Sequence, residues 1–192
     1  MPPLYLASGS PYRRALLERL QLPFAVQSAD IDETPLPDER PEEMVRRLGA
    51  AKAAAVADSL SEGLVIGSDQ CAVRDGEILG KPGDADTAIA QLLAASGKEV
   101  SFYTSLCVID AGSKVRLQDM DETRVKFRDL EEDEVRRYVD IEQPLDCAGS
   151  FKAEAYGICL FNAIDSRDPT ALTGLPLIAL CKMLREFGAS LP

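Results

Sequence analysis

The sequence predicts an α/β fold. Short apolar stretches rich in β-branched residues alternate along the chain with longer stretches that have the apolar spacing of helices. The clearest short stretch is residues 64–70 (LVIGSDQ), in which three apolar residues are followed by Gly67, Ser68 and then Asp69. A continuous apolar run of this kind is typical of a strand that is buried on both faces, as strands inside α/β folds are.

Length, composition and charge limit the number of domains, the partners and the location that we expect for the protein. The chain has 192 residues, of which 46% are hydrophobic and 28% charged, so we expect one globular domain over residues 1–192. A net charge of −11 argues against a nucleic-acid partner bound through a broad basic face. No apolar run is long enough to cross a bilayer, and no signal peptide opens the chain, so we expect a cytoplasmic protein without a membrane partner.

Two residue types limit the chemistry. Histidine is absent, which excludes histidine triads, histidine bases and histidine metal ligands. Any metal is therefore expected to be a hard, oxygen-liganded divalent cation such as Mg²⁺ or Mn²⁺. The five cysteines are odd in number and lack CxxC spacing, which predicts reduced, mostly buried thiols in a reducing compartment.

The N-terminus reads as a strand at residues 4–7, a small-residue loop and a helix over residues 12–20. Ser10 as N-cap and Pro11 at the first helical position are typical of a helix start. Arg13 and Arg14 lie in the first turn, where the partial positive charge of the helix disfavours cations. The two arginines either bind an anion at the helix N-terminus or are simply solvated; we favour the anion site, because the loop, the dipole and both arginines agree.

A strand at residues 24–27 is followed by an acidic patch that contains Asp30, Asp32 and Glu33. Most of these charges are expected to be solvated, although Glu33 could share a cation with Asp69. The next helix is predicted over residues 41–60. Lys52 lies on its apolar stripe, where it either snorkels at the edge of the core or points into a cleft toward a phosphate or carboxylate.

The strand of residues 64–67 delivers Asp69 at its carboxyl end, where ligands bind in α/β proteins. Asp69 is therefore a candidate metal ligand or general base, unless it and Gln70 only open a turn. A hairpin over residues 71–79, with its turn at Asp75-Gly76, ends in Gly80-Lys81-Pro82 and is expected to bring Lys81 near that end of the strand.

The rest of the chain continues the alternation. We predict helices over residues 84–95, 130–138 and up to 187, and strands over residues 100–109, 115–127 and 156–161. Residues 147–154 (CAGSFKAE) form a small-residue loop that carries Lys152 and Glu154 and would let the backbone approach a ligand.

These unusual cations and carboxylates indicate a reaction class. Cations at a helix N-terminus suit a polyphosphate, and carboxylates suit a divalent cation and a water molecule to be activated. Without histidine, metal-assisted attack of water on a phosphoanhydride is the natural reaction. The alternative is a nucleotide-binding module without turnover, which would have no use for Asp69 beside the cations.

The motifs resemble those of the Maf family of nucleoside triphosphate pyrophosphatases across essentially the whole chain. They are ASGSPYRRALL at residues 7–17, DET at 32–34, Lys52, GSDQ at 67–70, GKP at 80–82, CAGSFK at 147–152 and GLP at 174–176. The resemblance implies a mixed twisted sheet flanked by helices, two lobes with a central cleft, and a relation to the inosine triphosphate pyrophosphatases. It implies hydrolysis between the α- and β-phosphates with a divalent metal. Within the family, Ser-Asp-Gln at 68–70 is similar to the YceF branch, whose preferred substrate is 7-methyl-GTP.

The resemblance also implies roles for individual residues. Asp69 would be the catalytic base, and Tyr12, Gln70 and Glu154 would select the base of the nucleotide. Tyr12 departs from the tryptophan of relatives in that branch, but either ring could stack on a positively charged methylated guanine. The remaining assignments are a triphosphate site at Ser8, Arg13, Lys52 and Lys81, a substrate contact at Lys152, and a metal site at Glu33 and Asp69.

Two other functions stay open at this point. One is a UTP/dTTP pyrophosphatase, against which Gln70 and Glu154 argue. The other is a nucleotide-binding regulator of cell division, which the family's association with septum formation suggests. A homodimer is compatible with each of these functions.

Overall fold

A computed structural model describes residues 2–192 and confirms the mixed α/β fold. Its strands, in chain order, are β1 (Leu4–Leu6), β2 (Ala25–Val26), β3 (Leu64–Gly67), β4 (Gln70–Arg74), β5 (Glu77–Leu79), β6 (Glu99–Asp110), β7 (Arg116–Phe127) and β8 (Phe161–Asp165). Its α-helices are α1 (Pro11–Glu18), α2 (Pro41–Ala57), α3 (Ala85–Ala95), α4 (Glu132–Glu142) and α5 (Leu177–Glu186).

The chain divides into two compact units, which agrees with the two predicted lobes. The first unit consists of residues 2–70, 103–121 and 168–192, and the second of residues 71–102 and 122–167. The chain passes between the units along the long strands β6 and β7. The predicted cleft stays a prediction.

The first unit is built on the strand order β2-β1-β3-β6. Strands β1 and β3 run parallel, and β6 runs antiparallel to β3, so the sheet is mixed. One face of this sheet packs against α1 and α5 through leucines such as Leu6, Leu17 and Leu180. A second cluster joins Val65 and Cys107 of the sheet to α2. β3 is thus buried on both faces, as its apolar run predicts.

The close packing of α2 on β3 depends on Gly67. A Cβ atom at this position would lie within 2.7 Å of the backbone nitrogen of Ala53 and closer still to the carbonyl oxygen of Gly49. The absence of a side chain therefore lets the helix lie directly against the carboxyl end of the strand. The same end of the strand carries Asp69.

The second unit holds the hairpin β4–β5, the antiparallel pair β7–β8 and helices α3 and α4. Its aromatic core is a set of edge-to-face pairs among Phe102, Phe127, Phe151 and Phe161. The predicted turn at Asp75-Gly76 is confirmed, because both residues have positive φ values between paired strands.

Two predictions are corrected here. The strand predicted over residues 156–161 is wrong: Tyr156–Leu160 forms a 3₁₀ helix, and β8 begins at Phe161. The cysteines are free thiols, but only Cys71 and Cys107 are buried. Within residues 2–192, no helix is long and apolar enough to cross a membrane.

Candidate active site

Three predicted site residues meet at the carboxyl end of β3. The ammonium group of Lys52 lies 2.6 Å from Asp69 Oδ1 and 2.8 Å from Glu33 Oε1. Lys52 and Asp69 are buried, whereas the Glu33 side chain is 58% exposed. The lysine on the apolar stripe of α2 therefore does not snorkel: it forms an ion pair with the carboxylate that follows the buried strand.

The backbone of Asp69 is fixed by a polar residue of the neighbouring strand. Asp69 N donates to Ser105 Oγ at 3.1 Å, and Ser105 N donates to Asp69 O at 2.8 Å. The Ser105 hydroxyl in turn donates to the carbonyl oxygen of Val45 on α2 at 2.6 Å. The sheet and the helix thus hold the Asp69 backbone in one position.

Arg13 occupies the first turn of α1, whose predicted start at Ser10 and Pro11 is confirmed. Its Nε atom donates to the carbonyl oxygen of Gly174 at 2.8 Å, and Nη1 donates to Ser8 Oγ at 3.3 Å. Burial lowers the pKa of the Arg13 guanidinium, and the charges of Asp69 and Glu33 oppose that shift. Arg13 is therefore fixed by Gly174 and Ser8, within the electrostatic range of the two carboxylates.

The neighbouring Arg14 does not take part in this arrangement. Its side chain is exposed and forms an ion pair with Glu18, at 3.0 Å, along the surface of α1. Of the two arginines that the sequence placed at the helix N-terminus, the structure brings only Arg13 to the carboxylates.

Gln70 is fixed within the first unit. Its Nε2 atom lies 2.8 Å from Thr104 Oγ1 and about as close to the carbonyl oxygens of Ala171 and Leu172. Tyr12 is half-buried on α1, next to Arg13. The expected roles of Gln70 and Tyr12 in selecting the nucleotide base stay predictions.

The remaining predicted residues belong to the second unit. Lys81 is exposed just after β5, and Glu154 is exposed in the loop before the 3₁₀ helix. Lys152 is engaged within its own unit: its ammonium group donates to the carbonyl oxygen of Glu142 at 2.8 Å and lies 3.4 Å from Glu142 Oε1. The substrate contacts assigned to these three residues stay predictions.

Sequence reasoning missed Arg47, which fixes the segment that carries Glu33. Its guanidinium holds Glu39 through two hydrogen bonds of 2.6 and 2.7 Å and donates to the carbonyl oxygen of Thr34 at 3.2 Å. It is one residue along α2 from the buried row that contains Leu48 and Lys52. Neither its residue type nor its position in the sequence distinguishes Arg47 from a solvated arginine.

Sequence reasoning also missed Ser105 and Gly174. Ser105 follows Thr104 inside β6, directly before the apolar run at residues 106–109, and this pair of hydroxyl residues in the middle of a strand could have identified it. The Gly174 carbonyl accepts from both Arg13 Nε and Ser68 Oγ, at 2.8 and 2.9 Å. The GLP motif thereby connects α1 to the segment between β3 and Asp69.

The donor set determines what cation could be held here. Among residues 2–192, no group of three or more histidine, cysteine, aspartate or glutamate side chains is arranged to hold a metal. Glu33 and Asp69 supply two carboxylates, both of them in contact with Lys52. Two carboxylates suit Mg²⁺, which typically completes its shell with water and phosphate oxygens. The two carboxylates therefore fit a hard divalent cation whose remaining ligands are water and phosphate oxygens.

Fold and site together define an α/β protein with a carboxylate, a lysine and an arginine held at the end of a central strand, an arrangement suited to phosphate chemistry. The family model described as Maf-like protein matches residues 3–187. The chain belongs to the Maf-like family.

Relatives within the family are similar over their whole length. The chain is 53% identical over 191 residues to a protein of Alcanivorax borkumensis, covering 100% of this chain and 97% of the relative. It is 55% identical over 190 residues to one of Aromatoleum aromaticum, covering 98% and 97%. It is 53% identical over 192 residues to one of Pseudomonas aeruginosa, with both chains fully covered. All three relatives are named 7-methyl-GTP pyrophosphatase.

Proposed function

We propose that this protein hydrolyses 7-methyl-GTP to 7-methyl-GMP and pyrophosphate. The observation that carries the proposal is the buried contact between Lys52 and Asp69 at the end of β3, with Arg13 beside it. A carboxylate next to two cations can accept a proton from water while the cations hold phosphate oxygens. The name shared by the relatives supports the choice of substrate.

The triphosphate is bound by Ser8, Arg13, Lys52 and Lys81. Arg13 offers a planar guanidinium, whose unused donors suit phosphate oxygens, and Lys52 offers a compact point charge. Because Lys52 already contacts Asp69, phosphate binding draws the lysine into a shared contact between substrate and carboxylate. This arrangement places the reacting phosphoanhydride next to Asp69.

Asp69 is the general base. Its backbone is fixed by hydrogen bonds to Ser105, so the carboxylate has little freedom to turn away from an attacking water molecule. Asp69 accepts a proton of that water as the water oxygen bonds to the α-phosphorus, the bond from the α-phosphorus to the oxygen shared with the β-phosphate breaks, and pyrophosphate leaves. Once protonated, Asp69 no longer carries a negative charge next to Lys52. The ammonium group of Lys52 can then neutralise the departing pyrophosphate.

A divalent cation held by Glu33 and Asp69 would supply charge neutralisation for the phosphates when bound. Glu33 is the more exposed of the two carboxylates and can follow the cation as it enters with substrate. Arg47 keeps the segment around Thr34 attached to α2, so Glu33 stays close to Lys52.

Selectivity for the methylated base rests on Tyr12, Gln70 and Glu154, with a further substrate contact at Lys152. A carboxylate at Glu154 can accept from the N1–H and the exocyclic amine of guanine and offset the charge of the methylated ring. An aromatic ring at Tyr12 can stack on that cationic base. We place the reaction in the cytoplasm, because the five cysteines are free thiols.

Product analysis tests the proposal. The protein is incubated with 7-methyl-GTP, GTP, UTP and dTTP, each with Mg²⁺ or Mn²⁺, and nucleoside monophosphate and pyrophosphate are quantified. We expect both products from 7-methyl-GTP at a much higher rate than from the other three. Release of pyrophosphate from UTP or dTTP instead would support the proposed reaction but overturn the roles of Gln70 and Glu154 in selecting the base. Binding of 7-methyl-GTP without any product would overturn the enzymatic proposal in favour of a nucleotide-binding regulator.

A further inference from the structure

A second cationic feature of the first unit is a shallow cavity of about 440 Å³ beside α2, which is wide open to solvent. Three arginines, Arg46, Arg47 and Arg116, contribute to its lining together with Gln118 of β7. The rest of the lining consists of alanine side chains of α2, Ala50, Ala51 and Ala54. The cavity thus combines long cationic side chains with small residues that leave space between them.

This cavity is separate from the site at Asp69. Its helical residues occupy positions 46, 50 and 54 and positions 47 and 51, two neighbouring rows along α2. Lys52 belongs to the buried row of positions 48, 52 and 56, on the opposite side of the helix. A ligand in the cavity would therefore contact none of the residues assigned to the triphosphate.

The charges in the cavity are only partly balanced. Arg47 is neutralised by its two hydrogen bonds to Glu39. Arg46 and Arg116 are exposed, and within residues 2–192 neither guanidinium group has a hydrogen bond or an ion pair. Among the same residues, some exposed arginines of this acidic chain pair with carboxylates, as Arg14 and Arg136 do, whereas others, such as Arg19, do not. Two unpaired guanidinium groups facing one cavity make it a site of local positive charge in a protein of net charge −11.

We infer that this cavity binds a small phosphate-bearing anion, which Arg46 and Arg116 hold between them. Each guanidinium presents a planar fork of donors that matches two phosphate oxygens, and the Gln118 amide adds a neutral donor. The volume is within the range of small-molecule sites. The alanines allow the ligand to approach the helix surface between the arginines.

Nuclear magnetic resonance on the ¹⁵N-labelled protein tests this site without relying on activity. Inorganic pyrophosphate and, separately, GDP are titrated in the absence of divalent metal, and the backbone amides of Ala50, Ala51 and Ala54 are followed. We expect saturable shifts with a Kd below about 1 mM for at least one probe. A tighter Kd for GDP identifies a nucleotide as the ligand type, whereas equal values identify the phosphate groups alone.

Matched variants test whether Arg46 and Arg116 are responsible for the binding. Arg46→Ala/Arg116→Ala should raise the Kd at the alanine amides by at least about tenfold. Both side chains are exposed, so the double variant should keep the wild-type melting temperature. Arg136→Ala/Arg137→Ala removes the same charge from α4 and should leave the Kd within about twofold. The inference is overturned if the wild-type amides show no saturable shift, or if both double variants weaken binding equally.

Discussion

Lys52 and Asp69 form a buried ion pair in which neither side chain is more than 10% exposed. Removing one partner of such a pair leaves an uncompensated buried charge, which is much more costly than removing both. Lys52→Met should therefore lower the free energy of unfolding by about 3 kcal/mol, and Lys52→Met/Asp69→Asn should regain part of that loss. Urea unfolding at neutral pH measures both variants.

Glu33→Gln provides the matched comparison, because Glu33 contacts the same ammonium group from a largely exposed position. We expect it to cost less than about 1 kcal/mol, as surface ion pairs do. Because Lys52→Met removes both contacts, equal losses in Lys52→Met and Glu33→Gln would show that the buried contact adds nothing to the stability.

Asp69→Asn tests the general base. The amide is nearly the same size as the carboxylate and cannot take up the proton of the attacking water. We expect kcat for 7-methyl-GTP to fall about 10²- to 10⁴-fold, measured by pyrophosphate release. Circular dichroism and a thermal melt establish that the variant is folded. A kcat within about threefold of wild type would remove Asp69 from the reaction.

The packing of α2 on β3 predicts a large effect of a single methyl group. In Gly67→Ala the new Cβ would overlap backbone atoms of Gly49 and Ala53, which cannot rotate away. We expect a loss of about 1–3 kcal/mol in the free energy of unfolding. Gly80→Ala is the control, since a Cβ there meets nothing within 4 Å and the backbone is not in the left-handed region. Similar stabilities of the two variants would mean that α2 can move outward freely.

The pairing of Arg47 with Glu39 predicts a pH dependence of stability. Hydrogen bonding from Arg47 lowers the pKa of Glu39 from 4.5 to about 2. The unfolded state thus binds this proton before the folded state does, and the contribution is fully present above pH 4.5 and is lost as the pH falls toward 2. The difference in Tm between wild type and Glu39→Gln should be constant above about pH 5 and should shrink as acid is added. A difference that does not change with pH would argue against the ion pair in solution.

The thiols should react in an order set by their surroundings. Burial raises the pKa of Cys107 to about 11, whereas Cys159 is exposed. At pH 8, iodoacetamide should modify Cys159 first and Cys107 only after unfolding in denaturant, because the thiolate is the reactive form. Peptide mass spectrometry over a time course gives the order. Early modification of Cys107 in the native protein would contradict its burial.

Local signals in the sequence were sufficient to predict several secondary-structure elements. Ser10 and Pro11 mark the start of α1 because a cap and a preset φ act within a few residues. The run at Leu64–Gly67 identifies β3, and Asp75-Gly76 identifies a hairpin turn. The strand predicted at residues 156–161 was wrong because the carbonyl of Lys152 accepts from two nearby backbone groups and closes a turn, which apolar spacing does not reveal.

The candidate site was harder to predict from the sequence than the fold. Lys52 could be seen as anomalous, but only the tertiary structure shows that its ammonium group reaches Asp69, 17 positions away. Arg13 and Arg14 are adjacent and chemically identical, and only the direction of each side chain separates Arg13, which is fixed at the candidate site, from Arg14, which pairs with Glu18 on the surface of α1. Arg47 acts through a loop, so no spacing in the sequence identifies it.

The hydrogen bonds that join Arg13 and Ser68 to Gly174 have a consequence for the order of synthesis. Every first-unit residue to which we assign a contact with substrate or metal, or the role of general base, lies in the first 70 positions and leaves the ribosome early. The Gly174 carbonyl that anchors Arg13, and the α5 leucines that cover β1 and β3, are made more than 100 positions later. A nascent chain therefore carries its reactive carboxylate long before it can fix Arg13, because Gly174 follows Asp69 by 105 positions.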